Sequence, residues 1–215
     1  MMESYRHKGL RKALVKILKE KGIKNKKVLD AINTVPRHLF LDKAFEEWAY
    51  KDQAFPIRAN QTISQPYTVA FQTELIDPQP EDKILEIGTG SGYQACVLSL
   101  LCKKIYSIER QIELFKQTNE RLKKIGFGKI RTLHGDGYKG APRFAPFDKI
   151  LVTAGATDIP ETLVEQLKIG GFLVIPVGKG DDKKMLKITR IDEDTIKKES
   201  FGIFRFVPFK KGIVK

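Results

Sequence analysis

Three glycines at alternate positions, Gly88, Gly90 and Gly92, constrain the fold of this chain more than any other feature. They follow the apolar run 83–87, which is typical of a buried strand, and they overlap the start of 91–102, which predicts a helix. A strand, a glycine-rich turn and a helix in this order bring main-chain amides close to a bound ligand. The segment therefore predicts a nucleoside-binding unit, although a glycine cluster alone also fits a plain tight turn.

The spacing of the glycines separates two classes of nucleoside ligand. The pattern is G-x-G-x-G, whereas dinucleotide-binding proteins carry G-x-G-x-x-G and hold a pyrophosphate at the helix N-terminus. S-adenosylmethionine has no phosphate, and it needs main chain that approaches its amino-acid end and its sulfonium. Glu86, two residues before the first glycine, suits such a cationic ligand. We therefore predict S-adenosylmethionine rather than a nicotinamide cofactor.

Strand-like and helix-like runs alternate from residue 83 onward, which predicts a parallel sheet with helices on both faces. The predicted elements are strand 83–87, helix 91–102, strand 105–108, helix 110–125, strand 130–133, strand 148–152, a helix from Pro160 and strand 172–175. Two last runs, 184–192 and 195–207, predict a hairpin that turns at 192–194. The predicted fold class is α/β, a doubly wound Rossmann-like methyltransferase sheet with N-terminal helices and a C-terminal antiparallel hairpin.

The first third of the chain lacks this alternation and has the apolar spacing of helices. The predicted helices lie near 10–18, 28–32 and 45–49, and from Pro66 onward. A polar loop is predicted over 58–64. Because no repeat and no flexible linker is visible, we predict a single domain over 1–215. Within it, 1–80 forms a helical and substrate-loop region and 81–215 the cofactor-binding core.

Two acidic residues follow predicted strands at their carboxyl ends. Glu109 ends the second strand of the core, where a carboxylate can accept both ribose hydroxyls of a nucleoside. Asp136 follows the third strand, and its carboxylate suits an adenine amino group, with Gly137 keeping the wall thin. Each residue alone also fits an ordinary loop acid or turn. Together with the glycines they favour a nucleoside ligand.

The amino-acid composition limits the classes of binding partner and the cellular locations that we expect. Hydrophobic residues make up 41% of the chain, and no run reaches the roughly 20 apolar residues of a membrane span. The first residues contain no apolar signal-peptide region, so we expect a cytoplasmic protein without a membrane partner. The formal net charge of +13 admits a nucleic-acid partner, but the basic residues are spread along the chain. Cys96 and Cys102 fit no zinc pattern and, on one predicted helix, stand too far apart for a disulfide.

Several motifs together resemble the protein-L-isoaspartate (D-aspartate) O-methyltransferase family, from about Val35 to Val207. The motifs are Val35-Pro36-Arg37, Gln61-Thr62-Ile63-Ser64-Gln65-Pro66, Leu85-Glu86-Ile87-Gly88-Thr89-Gly90-Ser91-Gly92-Tyr93, Tyr106-Ser107-Ile108-Glu109-Arg110, Gly135-Asp136-Gly137 and Arg205-Phe206-Val207-Pro208. The Thr-Ile-Ser-Gln-Pro run is specific to the family, whereas many methyltransferases share the glycine motif. The chain departs from the family at Asn60, where glycine is usual, and in the loop 178–182.

The resemblance implies methyl transfer from S-adenosylmethionine to the free α-carboxylate of L-isoaspartyl and D-aspartyl residues in damaged proteins and peptides, with S-adenosylhomocysteine as product. It implies that Ser64 is catalytic, whereas the bare sequence favours Ser64 as a helix N-cap before Pro66. The implied substrate contacts are Thr62, Ser64, Gln65, Phe206 and Val207. The implied cofactor contacts are Ile63, Gly88, Thr89, Gly90, Ser91, Gly92, Glu109, Arg110, Asp136 and Gly137. We expect no metal site, and no general base is needed because a carboxylate with a pKa of about 3.9 is ionised at neutral pH.

Two other functions stay open. A nucleic-acid methyltransferase agrees with the charge, but the fourth strand of the core ends in Val152-Thr153-Ala154-Gly155, where amino-methylating enzymes carry an Asn/Asp-Pro-Pro-aromatic motif. We therefore expect no stable nucleic-acid partner. A non-catalytic nucleotide-binding regulator is the second alternative. The presence of Glu109, Asp136 and Ser64 in one chain counts against it.

The remaining candidates receive structural interpretations. His7 and His38 lie among predicted helices and are expected at the surface. His134 lies near the strand ends that are predicted to hold the cofactor, and we assign it no chemical role. Trp48 is expected to be a core anchor, because a lone tryptophan is more often packed than stacked on a ligand.

Overall fold

The computed structural model of the chain describes residues 4–214 and centres on a seven-stranded sheet. Two strands, β1 (Phe55–Ile57) and β2 (Gln61–Ile63), form a separate two-stranded sheet. The strands of the main sheet are β3 (Lys83–Ile87), β4 (Lys104–Glu109), β5 (Arg131–His134), β6 (Phe147–Val152), β7 (Leu167–Val177), β8 (Asp182–Arg190) and β9 (Ile196–Arg205). The order across the sheet is β5-β4-β3-β6-β7-β8-β9. Strands β3 to β7 are parallel, and β8 and β9 add an antiparallel edge. The predicted fold class is confirmed.

The helices begin where the sequence supplies suitable residues. The α-helices are α1 (Tyr5–Glu20), α2 (Lys26–Thr34), α3 (Pro66–Ile76), α4 (Tyr93–Ser99), α5 (Ile112–Lys124) and α6 (Glu161–Glu165). Four short 3₁₀ helices cover Arg37–Phe40, Lys43–Trp48, Gly137–Lys139 and Pro142–Phe144. The hydroxyl of Ser4 accepts the N–H of His7 at 3.2 Å and caps α1. Pro66 suits the first position of α3, where no N–H is needed.

The central strand determines where a ligand can bind. In β3, the four residues 84–87 are all buried, as expected for a parallel strand that is covered on both faces. The chain continues from β3 to β4 on one side, and it reaches β6 on the other side only later. The loops at the carboxyl ends therefore diverge and leave a crevice above β3. The glycine loop lies at this point.

Two apolar clusters pack on the sheet. Ile84 belongs to the first cluster and its neighbour Leu85 to the second, and successive strand residues face opposite sides of a sheet. The first cluster also contains Leu14, Ile32 and Ile63, which come from the N-terminal helices and the β1–β2 hairpin. The N-terminal region therefore packs directly on the same sheet that carries the glycine loop.

The segment predicted as a loop over 58–64 is wrong in part, because it contains the turn and second strand of a β1–β2 hairpin. Its turn residues Ala59 and Asn60 have φ values of 55° and 53°. Two consecutive residues with positive φ match the tight turns that join short antiparallel strands. Strands of three residues give too short an alternation for a sequence pattern to reveal.

Burial also departs from the prediction at two residues. His38, expected at the surface, is only 2% exposed, and its ring stacks on His7 with centroids 3.8 Å apart. Its Nδ1 lies 2.7 Å from the hydroxyl of Tyr50. Trp48, expected in the core, is 45% exposed because it ends a 3₁₀ helix at the surface and covers Phe55 with only one face.

Element ends differ from the predicted ones by a few residues. Helix α4 stops at Ser99, so Cys102 lies beyond it rather than on it. Cys96 and Cys102 are both free and buried, as predicted. Strand β7 extends well past the predicted 172–175 at both ends. Among residues 4–214, no helix has the length and apolar character needed to cross a bilayer.

Candidate active site

A cleft with an empty volume of about 760 Å³ lies above the carboxyl ends of β3, β4 and β6. Eleven of the fifteen predicted site residues line it: Thr62, Ile63, Ser64, Gly88, Thr89, Gly90, Ser91, Glu109, Arg110, Gly137 and Val207. Residues that were not among the predicted contacts also line it, among them Tyr93, Thr153, Pro208, Phe209 and Lys210. Of these, Tyr93 and Pro208 lie within motifs of the family resemblance, and Phe209 and Lys210 directly follow one, so membership of a motif or proximity to it is the available signal.

The glycine loop approaches the cleft with backbone that other residues adopt poorly. Gly88, Gly90 and Gly92 have φ values of 98°, 52° and 86°. A Cβ on Gly88 would lie 2.6 Å from the Oγ1 of Thr153. Gly92 does not line the cleft, since a Cβ there would meet Thr118 of α5 at 2.8 Å. The first two glycines therefore open the cleft, and the third lets α4 pack on α5.

Glu109 faces the glycine loop from the end of β4. Its side chain is nearly buried, and its Oε2 accepts the N–H of Gly90 at 2.9 Å. Its Oε1 accepts the N–H of Gln111, also at 2.9 Å. Each carboxylate oxygen can accept a further hydrogen bond. Glu109 is thus oriented by two main-chain amides and keeps free capacity toward the cleft, as a ligand for a vicinal diol requires.

Glu86 lies beneath the floor of the cleft rather than on its wall. It is fully buried, its carboxyl group bonds the Ser107 hydroxyl, and Ser107 lies 2.6 Å from the Thr89 hydroxyl. Burial raises the pKa of Glu86 to about 8. The carboxyl group is therefore mostly protonated at neutral pH, and the sequence-based expectation of a charge for a cationic ligand does not match this environment.

Asp136 is engaged by main chain instead of lining the cleft. Its two oxygens accept the N–H of Tyr138 at 2.9 Å and the N–H of Gly212 at 2.8 Å. The adjacent Gly137 does line the cleft, and a Cβ there would lie 2.5 Å from Ile87 and 2.8 Å from the ring of Phe209. The structure therefore supports the thin wall predicted at Gly137. It gives Asp136 the additional task of holding the C-terminal segment.

A second cleft, with an empty volume of about 970 Å³, adjoins the first. It contains the predicted substrate contacts Gln65 and Phe206, which do not line the first cleft. The two clefts share four residues: Thr62, Ser64, Thr153 and Val207. The five predicted substrate contacts are therefore brought together, and Ser64 lies at the junction of the clefts.

Ser64 does not cap α3 as the bare sequence suggested. The N-cap residue is Gln65, whose side chain makes no capping bond. The N–H of Tyr67, in the first turn, is instead bound by the Oδ1 of Asp52 at 2.7 Å. Over residues 4–214, none of the hydrogen bonds found involves the Ser64 hydroxyl, so it can donate to a molecule in the clefts.

Known proteins are similar in sequence to this chain over nearly its whole length. The family model described as Protein-L-isoaspartate(D-aspartate) O-methyltransferase (PCMT) matches residues 9–213. The chain belongs to this family. A relative from Flavobacterium psychrophilum, called Protein-L-isoaspartate O-methyltransferase, is 57% identical over 208 residues, which cover 97% of either chain. The family predicted from the motifs is confirmed.

Solved structures agree with the family assignment. A protein-L-isoaspartate O-methyltransferase superposes with a TM-score of 0.85 at 27% identity, covering 94% of this chain and 67% of that one. A putative family member from Plasmodium falciparum, in complex with S-adenosyl-L-homocysteine, gives a TM-score of 0.82 at 25% identity and covers 94% and 99% of the two chains. Within the described part of this chain, no group of three or more His, Cys, Asp or Glu side chains is placed to hold a metal.

Proposed function

We propose that this chain is a protein repair enzyme that methylates the free α-carboxylate of L-isoaspartyl and D-aspartyl residues in damaged proteins and peptides, with S-adenosylmethionine as methyl donor. One observation carries the proposal: a cleft with groups suited to a nucleoside and a second cleft meet at Ser64, whose hydroxyl takes part in none of the hydrogen bonds found within residues 4–214. A methyl donor in one cleft and a peptide in the other bring donor and acceptor together there.

The first cleft has the groups that the donor needs. Glu109 accepts the ribose hydroxyls, and the main chain at Gly88 and Gly90 admits the amino-acid portion without side-chain obstruction. Gly137 and Phe209 form the wall for the adenine. Ile63, Thr89, Ser91 and Arg110 complete this set of contacts. Bound S-adenosylmethionine supplies a methyl group on a positively charged sulfur.

The residues on the acceptor side orient the substrate carboxylate and do not need to activate it. The isoaspartyl carboxylate is ionised at neutral pH, so no side chain has to remove a proton. The Ser64 hydroxyl donates to one carboxylate oxygen, and the other oxygen forms the new bond to the methyl carbon as the carbon–sulfur bond breaks. Thr62, Gln65, Phe206 and Val207 hold the peptide. Proximity and orientation of this kind can contribute about 7–11 kcal/mol.

The same proposal covers the partners, the location and the domain. We expect no stable nucleic-acid partner, because Thr153 at the end of β6 donates to the carbonyls of Ile87 and Gly88 and offers no base-holding motif. A cytoplasmic location, with no membrane partner, fits the two free thiols. A single domain over 1–215 fits the cluster shared by the N-terminal helices and the sheet.

Transfer of a labelled methyl group tests the proposal. The chain should methylate an isoaspartyl peptide, leave the same peptide with normal aspartate unmodified, and leave bulk RNA unmodified. Base-labile label on the isoaspartyl peptide alone supports a carboxyl methyl ester. Label on RNA, or equal label on both peptides, would contradict the proposal.

A further inference from the structure

The Val35-Pro36-Arg37 motif is the part of the family resemblance that the proposed chemistry leaves without a task. Arg37 follows α2 in a 3₁₀ helix and is fully buried. It lies outside both clefts. Its guanidinium stacks on the ring of Tyr93, with its Cζ 4.8 Å from the ring centroid. No carboxylate among the described residues forms an ion pair with Arg37 within 4.0 Å. The charged group is instead bound by main-chain carbonyl oxygens.

Two main-chain carbonyls are the hydrogen-bond partners of Arg37. Its Nε donates to the carbonyl oxygen of Ala49 at 3.0 Å, and its Nη2 donates to the carbonyl oxygen of Ser64 at 2.8 Å. Burial lowers the pKa of Arg37 to about 10, which leaves the group charged at neutral pH. Burying a charge is costly, and an apolar side chain would fill the same space without that cost. The bond to Ser64 distinguishes Arg37 from a packing residue.

Asp52 holds the same turn from the other side. Its Oδ1 accepts the N–H of Tyr67 at 2.7 Å, and the side-chain amide of Gln65 donates to its Oδ2 at 3.0 Å. Gln65 also reaches the main-chain carbonyl of Asp52 at 3.0 Å. A carboxylate at a helix N-terminus satisfies a free N–H and the helix dipole. Asp52 therefore performs the capping that Ser64 would otherwise perform.

We propose that Arg37 and Asp52 are positioning residues for methyl transfer. Arg37 fixes the main chain of Ser64, and Asp52 caps α3 in its place. Together they leave the Ser64 hydroxyl free and held at the junction of the two clefts. Neither residue lines either cleft. This inference rests on the proposed function, because it assigns to Arg37 and Asp52 an effect that reaches the reaction only through Ser64.

The experiment is a double-mutant cycle on kcat at saturating peptide. Arg37→Lys keeps the charge, but one ammonium replaces the planar pair of donors and cannot hold both carbonyls in the same geometry. We expect kcat to fall about three- to tenfold, up to the loss expected when the Ser64 hydroxyl itself is removed. Cofactor affinity, measured by calorimetry, should stay within about twofold. In the Ser64→Ala background, Arg37→Lys should lower kcat by no more than about twofold, because the hydroxyl it positions is gone.

A matched control separates positioning from stability. Lys149 is also a nearly buried cation that bonds a main-chain carbonyl, but it lies near the start of β6, away from the clefts. Lys149→Met should lower the melting temperature and leave kcat unchanged. If Arg37→Lys behaves in the same way, with an unchanged kcat, the positioning role is overturned. An equal fall of kcat in the wild-type and Ser64→Ala backgrounds overturns it as well.

A substitute variant and two possible outcomes for Ser64→Ala complete the test. If Arg37→Lys does not fold, Asp52→Ala takes its place in the cycle. Lys21→Met is then the control, because Lys21 pairs with the Asp52 carboxylate and faces the Tyr67 ring but is not among the hydrogen-bond partners found for Ser64, Gln65 or Tyr67. If Ser64→Ala retains full kcat, the catalytic assignment of Ser64 fails, and the positioning proposal fails with it. If Ser64→Ala loses activity while neither the Arg37 nor the Asp52 variant does, only the positioning proposal fails.

Discussion

The two sides of the proposed reaction centre are built differently. On the cofactor side, Glu109 and the glycine loop continue directly from strands in the middle of the sheet, so the sheet itself sets their positions. On the acceptor side, Ser64 lies in a connection between β2 and α3. Its position depends on side chains from other segments, Arg37 and Asp52, that bind its main chain or its neighbours.

The difference predicts two kinds of response to mutation. A change on the cofactor side removes a contact from a site that is otherwise fixed by the sheet, so it should appear as lost affinity. A change on the acceptor side alters the orientation of the Ser64 hydroxyl, so it should lower the rate of methyl transfer and preserve the affinity for the cofactor. Glu109 and Ser64 test this division directly, and Glu86 and Ala59 test the stability of the two sides. The expected effects are taken from the largest to the smallest.

The largest effect concerns Glu86, in the sheet beneath the cofactor side. Burial raises its pKa from an ordinary 4.5 to about 8, so in this range the folded chain holds a proton that the unfolded chain releases. The free energy of unfolding should therefore fall as pH rises through this window, by on the order of 5 kcal/mol from this group. Glu86→Gln should remove most of the fall, as measured by denaturant unfolding across the window.

The exposed Glu81 provides a control for that experiment. It pairs with Lys103, which lowers its pKa, so it titrates below the window. Glu81→Gln should leave the pH dependence between the two pKa values of Glu86 unchanged. Parallel curves for the wild type and Glu86→Gln would show that Glu86 is ionised in the fold.

The second effect concerns Glu109. Glu109→Ala removes the carboxylate proposed for the ribose hydroxyls, and hydrogen bonds to charged groups contribute roughly 1.5–3 kcal/mol. Calorimetry should show cofactor affinity weakened by that amount, with kcat at saturating cofactor changed much less. Glu113→Ala is the control, because Glu113 is exposed and pairs only with Arg58 among the ion pairs found. Unchanged affinity in a folded Glu109→Ala protein would remove the ribose assignment.

The third effect concerns Ser64. Ser64→Ala should lower single-turnover methyl transfer about tenfold, the equivalent of one hydrogen bond of roughly 1.4 kcal/mol. Cofactor affinity should stay within a few-fold, and the melting temperature should hardly change because Asp52, not Ser64, caps α3. A lowered melting temperature with normal chemistry would mean that Ser64 has a capping role after all.

The smallest effect concerns the hairpin that precedes Ser64. Ala59 has a φ of 55°, which costs a non-glycine residue about 1–2 kcal/mol, and glycine relieves this at a loss of about 0.4–1 kcal/mol in chain entropy. Ala59→Gly should therefore stabilise the fold by about 0.5 kcal/mol, visible as a small rise in melting temperature. Ala13→Gly, in the middle of α1, should do the opposite by about 1 kcal/mol. Destabilisation by both would show that the turn is not strained.

The strands and the glycine loop on the proposed cofactor side could be predicted from the sequence because their determinants are local. Strand 83–87 was predicted to the residue, and the spacing of Glu109 from the glycines follows from one strand–helix–strand unit. Parallel topology then brings the strand ends together without further information. In contrast, the sequence motif indicates only an adenine contact for Asp136. Its hydrogen bond from the N–H of Gly212 could not be predicted, because Gly212 lies 76 residues away in the chain.

The acceptor side and the N-terminal region were less predictable for the same physical reason. Ser64 was identified through a family motif, whereas the local pattern before Pro66 favoured a cap. Asp52 takes over that cap from twelve residues upstream of Ser64, and no local pattern shows such an exchange. Likewise, the burial of His38 and the exposure of Trp48 depend on how 3₁₀ helices pack on the core, which periodicity does not encode.

The tie between Asp136 and Gly212 has a consequence for the lifetime of the enzyme itself. Asp-Gly pairs are prone to the ring closure that produces isoaspartate, and Asp136-Gly137 is such a pair. Closure requires the Gly137 nitrogen to attack a carboxyl group that is free to turn. Here amides from Tyr138 and Gly212 hold both oxygens, so turning breaks two hydrogen bonds. The fold should therefore slow at residue 136 the ageing that the enzyme reverses in others, and peptide mapping after long incubation should find isoaspartate there in the unfolded chain far sooner than in the folded one.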